Sequence, residues 1–110
     1  MVVSRVQKLR SICVLDGFTI TQGYAANNNV SENGGGINCI FSNPVLNNLM
    51  IKENYSRNNG GGMYLDYSNP TISNSTIFKN TTFGNGGGMY LDYSHPRIIN
   101  TLIIDNYLIY

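Results

Sequence analysis

The chain has 110 residues, of which 12% are charged, and it is rich in turn formers, with 12 Gly and 17 Asn. The scarcity of Ala and Glu argues against a helical bundle, and the apolar share of 42% is too high for a disordered tail. The net charge of +1 points to neither nucleic acid nor an anionic membrane, and no apolar run is long enough for membrane insertion.

The first eleven residues, 1–11, form a lead-in whose structure the sequence leaves poorly defined. Arg5, Lys8 and Arg10 lie here, but no apolar stretch and no small-residue cleavage site follow them, so this is not a secretory signal. Such a start fits either a cytosolic protein or a piece of a longer chain. The repeat that follows favours the longer chain.

A 26-residue unit repeats along residues 12–110. Gly-Gly-Gly recurs at that spacing, and GGGMYLDYS occurs unchanged at 60–68 and 86–94. Segment 16–23 aligns with 47–54 as a partial earlier copy, followed by a loop that is five residues longer than the next one. We therefore predict four coils, the first of them incomplete. Their approximate bounds are 12–33, 34–59, 60–85 and 86–110.

The segments within each unit alternate between apolar and polar residues. Met63 and Leu65 alternate with Tyr64 and Asp66, which is the period of a strand and not of a helix. A 26-residue unit with strands and no helix excludes leucine-rich and ankyrin solenoids. It predicts an all-β fold, a parallel β-helix (β-solenoid), whose equivalent strands stack about 4.8 Å apart.

This register predicts columns of stacked side chains. Four apolar columns should form the core. They are Ile37, Met63 and Met89; Cys39, Leu65 and Leu91; Leu46, Ile72 and Ile98; and Ile20, Ile51, Ile77 and Ile103. Asn should form ladders at two bends, because Asn tolerates left-handed backbone and its amide can bond the coils above and below. Those ladders are Asn48, Asn74 and Asn100, and Asn54, Asn80 and Asn106.

Two further features concern the bends and the thiols. The Gly triplets should allow positive φ just before a strand. Cys13 and Cys39 are one repeat length apart, but the longer first loop moves Cys13 into the register of Pro44. We therefore predict two free thiols and no disulfide.

These repeats resemble right-handed parallel β-helix (pectin-lyase-like) proteins of bacterial surfaces. GGGI at 34–37 and GGGM at 60–63, each followed by Ile-x-x-Asn, are similar to repeats of choice-of-anchor β-helix proteins and of polymorphic outer membrane proteins. The resemblance covers about 16–110. It implies an extracellular or cell-surface location in a bacterium, within a longer chain whose signal is not in this sequence. An uncapped solenoid end would also favour end-to-end self-association.

Asp66 and Asp92 share a register, so their carboxylates should lie about 5 Å apart on an outer face. Such a pair is a candidate for calcium binding or for sugar chemistry, and a solvated face is the alternative, because the earlier coil has Ile40 there. Arg97 joins them as a catalytic candidate, since polysaccharide lyases of the resembled fold use a basic residue near calcium-binding carboxylates. His95 stands in a turn before proline, which favours a turn role. No other cofactor is expected.

Tyr64 should stack with Tyr90, and Tyr67 with Tyr93. Such columns either support a sugar ring or stabilise parallel strands. We therefore expect a non-catalytic, structural, adhesive or glycan-contacting segment of a secreted or cell-surface β-helix protein, with carbohydrate or a host or neighbouring surface as its partner. The alternative is a fragment of a polysaccharide lyase or glycoside hydrolase of the pectin-lyase-like fold.

Overall fold

The fold is a stack of short parallel strands, as a computed structural model of the chain describes it for residues 2–3, 6–7, 13–26 and 32–109. Within those residues there are seventeen strands, numbered here in chain order, and no helix, so none that could cross a membrane. They form four sheets, which we call A to D.

Sheet A contains β1 (Val2–Val3), β4 (Thr19–Thr21), β8 (Met50–Lys52), β12 (Thr76–Phe78) and β16 (Leu102–Ile104). Sheet B contains β2 (Val6–Gln7), β6 (Ile37–Ile40), β10 (Met63–Asp66) and β14 (Met89–Asp92). Sheet C contains β3 (Val14–Asp16), β7 (Val45–Asn47), β11 (Thr71–Ser73) and β15 (Arg97–Ile99). Sheet D contains β5 (Tyr24–Ala25), β9 (Tyr55–Ser56), β13 (Thr81–Thr82) and β17 (Tyr107–Leu108).

A complete coil visits sheets B, C, A and D in turn, and each strand pairs in parallel with its equivalent in the next coil. Met63 is level with Met89, which is the register that the repeat predicts, and Thr19 is level with Met50, which reflects the longer first loop. The parallel β-helix predicted from the repeat is therefore confirmed. Residues 2–3 and 6–7 of the lead-in also contribute, since β1 pairs with β4 and β2 pairs with β6, and the rest of the lead-in 1–11 lies outside the described residues.

The chain turns at four corners in each coil, and one residue at every corner has positive φ. Only the first Gly of each triplet is such a residue, whereas the other two are needed for space. The sequence predicted the Gly and Asn corners but not the aromatic corner or the corner of Gln and charged residues. The four sets are Gly34, Gly60 and Gly86; Phe41, Tyr67 and Tyr93; Gly17, Asn48, Asn74 and Asn100; and Gln22, Glu53, Lys79 and Asp105.

The core is the set of predicted apolar columns. Ile51, Ile77 and Leu65 are fully buried, and each such side chain contributes about 1.5–3 kcal/mol by leaving water. The expected burial of Leu91, Ile98 and Ile103 is wrong. They have the predicted register but are 43%, 43% and 41% exposed, because no described residue stacks on their outer side.

Cys13 and Cys39 are both free thiols, as predicted. Burial, and secondarily the nearby Cys13, raises the pKa of Cys39 to about 12. Cys39 is therefore a small core residue whose thiol stays protonated and unreactive at neutral pH.

The inner Asn ladder is formed as predicted. Asn54 N and Nδ2 both donate to Asn80 Oδ1, at 3.0 and 2.9 Å, and Asn80 N and Nδ2 donate in the same way to Asn106 Oδ1. Asn54 and Asn80 are buried. These amides therefore accept the main-chain N–H of the equivalent Asn and continue the ladder at one position of the corner, between main-chain hydrogen bonds on either side.

The outer Asn ladder is formed only at its last step. Asn100 Nδ2 donates to Asn74 Oδ1 at 2.6 Å, but Asn74 Nδ2 donates to Asn47 Oδ1 and Asn48 Nδ2 to Asp16 Oδ1. The predicted continuous column is wrong there, because the adjacent strand position carries polar side chains that accept these bonds.

Candidate functional site

The outer face of sheet B carries the residues singled out by the sequence. Along β10, Met63 and Leu65 are buried, whereas Tyr64 and Asp66 point outward and are partly exposed. The same alternation brings Tyr90 and Asp92 to this face from β14. We call these four outward residues, together with the corner column Phe41, Tyr67 and Tyr93, the sheet B platform.

Two aromatic columns flank the aspartates of this platform. The rings of Tyr64 and Tyr90 have centroids 5.6 Å apart and planes within 2°. Tyr67 stacks with Tyr93 at 4.8 Å and 8°, so both predicted pairs are confirmed. Phe41 extends the corner column by stacking on Tyr67 at 5.0 Å. Phe41 was not among the predicted aromatic residues, although it occupies the position of Tyr67 in the preceding repeat.

The two aspartates are level on neighbouring strands. Burial and, secondarily, the charge of Asp92 raise the pKa of the Asp66 carboxyl above its ordinary value. The pKa of Tyr64 is also raised, mainly by burial and then by the charges of Asp66 and Asp92. The platform is thus an aromatic surface around a centre that disfavours additional negative charge.

One family comparison decides the class of this protein. A family model described as a right handed beta helix region matches residues 9–109. The chain belongs to the right-handed β-helix family. This agrees with the resemblance carried by the GGG and Ile-x-x-Asn repeats. Searches of curated proteins and of solved structures gave no match.

The β-helix separates the predicted catalytic set. Asp66 and Asp92 lie on sheet B, whereas Arg97 is exposed on β15 of sheet C, level with Thr71. Among the described residues, Arg97 forms no ion pair with either aspartate. His95 occupies the turn between these sheets, where its main-chain N donates to Asn69 Oδ1 at 2.7 Å.

The carboxylate pair gains no third acidic or imidazole ligand from the part of the β-helix that the structure describes. No group of three or more His, Cys, Asp or Glu comes together there. The position level with Asp66 in the preceding coil is Ile40, which is 42% exposed. A calcium ion at this pair would therefore depend on two carboxylates and on water, which are few protein ligands for calcium.

A second concave surface of the β-helix lies on sheet D and was not singled out by the sequence. Its lining includes Tyr24, Tyr55, Arg57 and Phe83. Tyr24 and Tyr55 stack with centroids 5.0 Å apart. The coil register could have located it, because Arg57 and Phe83 occupy the same position in successive repeats.

Asp66→Asn is expected to raise the free energy of unfolding at about pH 7. The raised pKa means that ionised Asp66 is less favourable in the fold than in the unfolded chain, so the wild type regains this stability as the pH falls through the folded-state pKa. The gain from the substitution should therefore fade at about pH 3. Denaturant unfolding at both pH values measures it.

Asp92→Asn is the matched comparison. It should give a smaller gain than Asp66→Asn, because it removes the repulsion but leaves Asp66 partly desolvated. A gain from Asp66→Asn that is equal at both pH values would show that charge is not its cause.

Proposed function

We propose that this β-helix is a non-catalytic segment of a secreted or cell-surface protein and that its sheet B platform contacts glycans. The observation that carries the proposal is the pair of aromatic columns, with ring separations of 4.8–5.6 Å, on both sides of one aspartate pair. The partner would be a carbohydrate on a host or neighbouring surface.

The chemistry of sugars matches this arrangement. A pyranose ring has a flat apolar face that stacks on an aromatic ring, and its hydroxyl groups donate hydrogen bonds. Tyr67 and Tyr93 are 49% and 71% exposed, so their rings are accessible. Asp66 and Asp92 lie between the columns as acceptors for sugar hydroxyls. A neutral glycan suits this surface best, because the aspartates would repel an acidic one.

The rigidity of the platform supports binding. The strands that carry it are hydrogen-bonded to neighbouring coils, and Tyr67 N donates to Asp92 O at 2.9 Å. A ligand would therefore not have to order the main chain, which lowers the entropic cost of binding.

Replacing both Tyr64 and Tyr90 with alanine is expected to weaken binding to neutral glycans about tenfold, because two stacking rings are lost. A glycan array identifies the ligand, and titration calorimetry then measures its affinity. The control is Tyr107→Ala, which removes a 53% exposed ring from sheet D. It should leave the affinity unchanged.

Two results would contradict the proposal. Equal losses for the double variant and for Tyr107→Ala would mean that the platform is not the contact surface. Cleavage of a polysaccharide such as polygalacturonate, abolished by Asp92→Ala, would replace the proposal with the lyase or hydrolase alternative.

A further inference from the structure

The concave surface on sheet D is a groove of about 550 Å³. We call it the sheet D groove. It lies on a different sheet from the sheet B platform, and it has the opposite charge. Its lining residues are Tyr24, Ala26, Tyr55, Arg57, Asn58, Phe83 and Gly84.

The groove exists because each of two neighbouring columns contains one small residue next to a larger one. The pairing of β5 with β9 and of β9 with β13 makes Ala26, Arg57 and Phe83 level in three successive coils. Asn58 and Gly84 are level in the adjacent column. Ala26 and Gly84 fill little space beside the larger side chains, so a hollow remains between the rings.

The walls of the groove are held by the strand ladder. Arg57 N donates to Ala25 O at 2.8 Å, and Phe83 N donates to Ser56 O at 3.1 Å. The Tyr24 and Tyr55 rings are stacked with an interplanar angle of 20°. Tyr24 and Phe83 are 71% and 56% exposed, so aromatic surface from both sides is available to a ligand.

Arg57 makes this groove cationic. None of the seven lining residues is acidic, and no ion pair engages Arg57 within the described residues. A guanidinium presents several donors in one plane and binds carboxylate or sulfate groups through paired hydrogen bonds. The aromatic rings beside it offer apolar faces of the size of a sugar ring.

We propose that the sheet D groove binds a sugar residue that carries an acidic group. The ring of the sugar packs on Tyr24 and Tyr55, and its carboxylate or sulfate pairs with Arg57. This is a second site, independent of the neutral-glycan contact on the sheet B platform, where Asp66 and Asp92 would oppose an anion.

The test measures binding of the 110-residue chain to four polysaccharides by titration calorimetry, at low and at physiological salt. Polygalacturonate carries carboxylates, dextran sulfate carries sulfates, heparin carries both, and dextran is the neutral reference. Arg57→Gln should weaken binding of at least one acidic polysaccharide about tenfold or more. Tyr24→Ala should lower the affinity for the same polysaccharide by a smaller factor.

Lys52→Gln is the matched control, since it removes the same charge from the outer face of sheet A. It should leave the affinity unchanged, as should the double Tyr64 and Tyr90 variant. The two sites are thereby distinguished. If only the double Tyr64 and Tyr90 variant lost affinity for the acidic polysaccharides, the groove would be overturned, and the preference of the platform for neutral glycans would be contradicted as well.

Three other results would overturn the groove as an acidic-sugar site. These are equal losses for Lys52→Gln and Arg57→Gln, no binding of any acidic polymer, and, in the double Tyr64 and Tyr90 variant that lacks the platform rings, binding of dextran as tight as that of the acidic polymers. Circular dichroism of each variant establishes that the coils are intact. The ratio of the affinity for polygalacturonate to the affinity for dextran sulfate then tells whether the preferred acidic group is a carboxylate or a sulfate.

Discussion

Asn80→Ala is expected to lower the free energy of unfolding by about 4 kcal/mol, because it breaks the buried Asn ladder in its middle. Asn80 Oδ1 accepts from Asn54 N and Nδ2, and Asn80 Nδ2 donates to Ile51 O and Asn106 Oδ1, all at 2.9–3.0 Å. In the variant, the main-chain N–H of Asn54 is buried and has no acceptor.

This loss is a large fraction of the total stability of a domain of this size, which is about 5–15 kcal/mol. The melting temperature should therefore fall by about 15 °C or more. Denaturant unfolding followed by circular dichroism measures the change directly.

Asn47→Ala is the control for this prediction. Asn47 also accepts bonds from the next coil, from Ser73 Oγ at 2.9 Å and Asn74 Nδ2 at 3.1 Å, but its surroundings are open to water. Its replacement should cost about 1 kcal/mol, since water can satisfy the partners. Similar losses for both variants would contradict the view that burial makes the inner ladder essential.

Gly62→Ala is expected to destabilise the fold by about 3 kcal/mol or more through steric overlap alone. A Cβ at this position would lie 2.5 Å from Gly88 O, 2.9 Å from Asn80 Nδ2 and 3.1 Å from Ile77 Cγ2. Gly88 O accepts from Met63 N at 2.9 Å, so the nearest atom belongs to the strand ladder and cannot move without breaking it. Thermal unfolding measures the effect.

Gly17→Asn is the informative counterpart. Gly17 has a φ of +81°, but a Cβ there meets nothing within 4 Å, and the next coils carry Asn in the same register. Asn tolerates this backbone, so the stability should stay within about 1 kcal/mol of the wild type. If Gly17→Asn were as harmful as Gly62→Ala, positive φ alone would require glycine at position 17. If Gly62→Ala were as mild as the change expected for Gly17→Asn, the steric argument for Gly62 would be contradicted.

The register of the coils could be predicted from the sequence alone because each repeat stacks only on the repeats immediately before and after it. Met63, Tyr64, Leu65 and Asp66 keep their order in two copies, and parallel stacking converts equal position into contact. The aromatic pairs and the inner Asn ladder follow from this register without any knowledge of the coil's cross-section.

Features that depend on the cross-section could not be predicted in this way. Phe41, Tyr67 and Tyr93 have positive φ, which aromatic residues rarely adopt, so no local propensity indicated that corner. The sheet D groove needs a knowledge of which columns are adjacent and of how much volume Ala26 and Gly84 leave empty. Arg97 was grouped with Asp92 because polysaccharide lyases of the resembled fold use a basic residue near such carboxylates, but a corner puts the two residues on different sheets.

The amino-acid sequence by itself determined the class of fold, the register of the repeat and the membership of each stacked column. It could do so because period-2 alternation and an exact repeat leave few other ways to bury the apolar side chains. The tertiary structure decided how many sheets the coil forms, which corner each column occupies, and which outward columns meet in a platform or a groove. The physical reason is that corner angles depend on close approach between coils, where one Cβ or one buried amide decides the path of the chain.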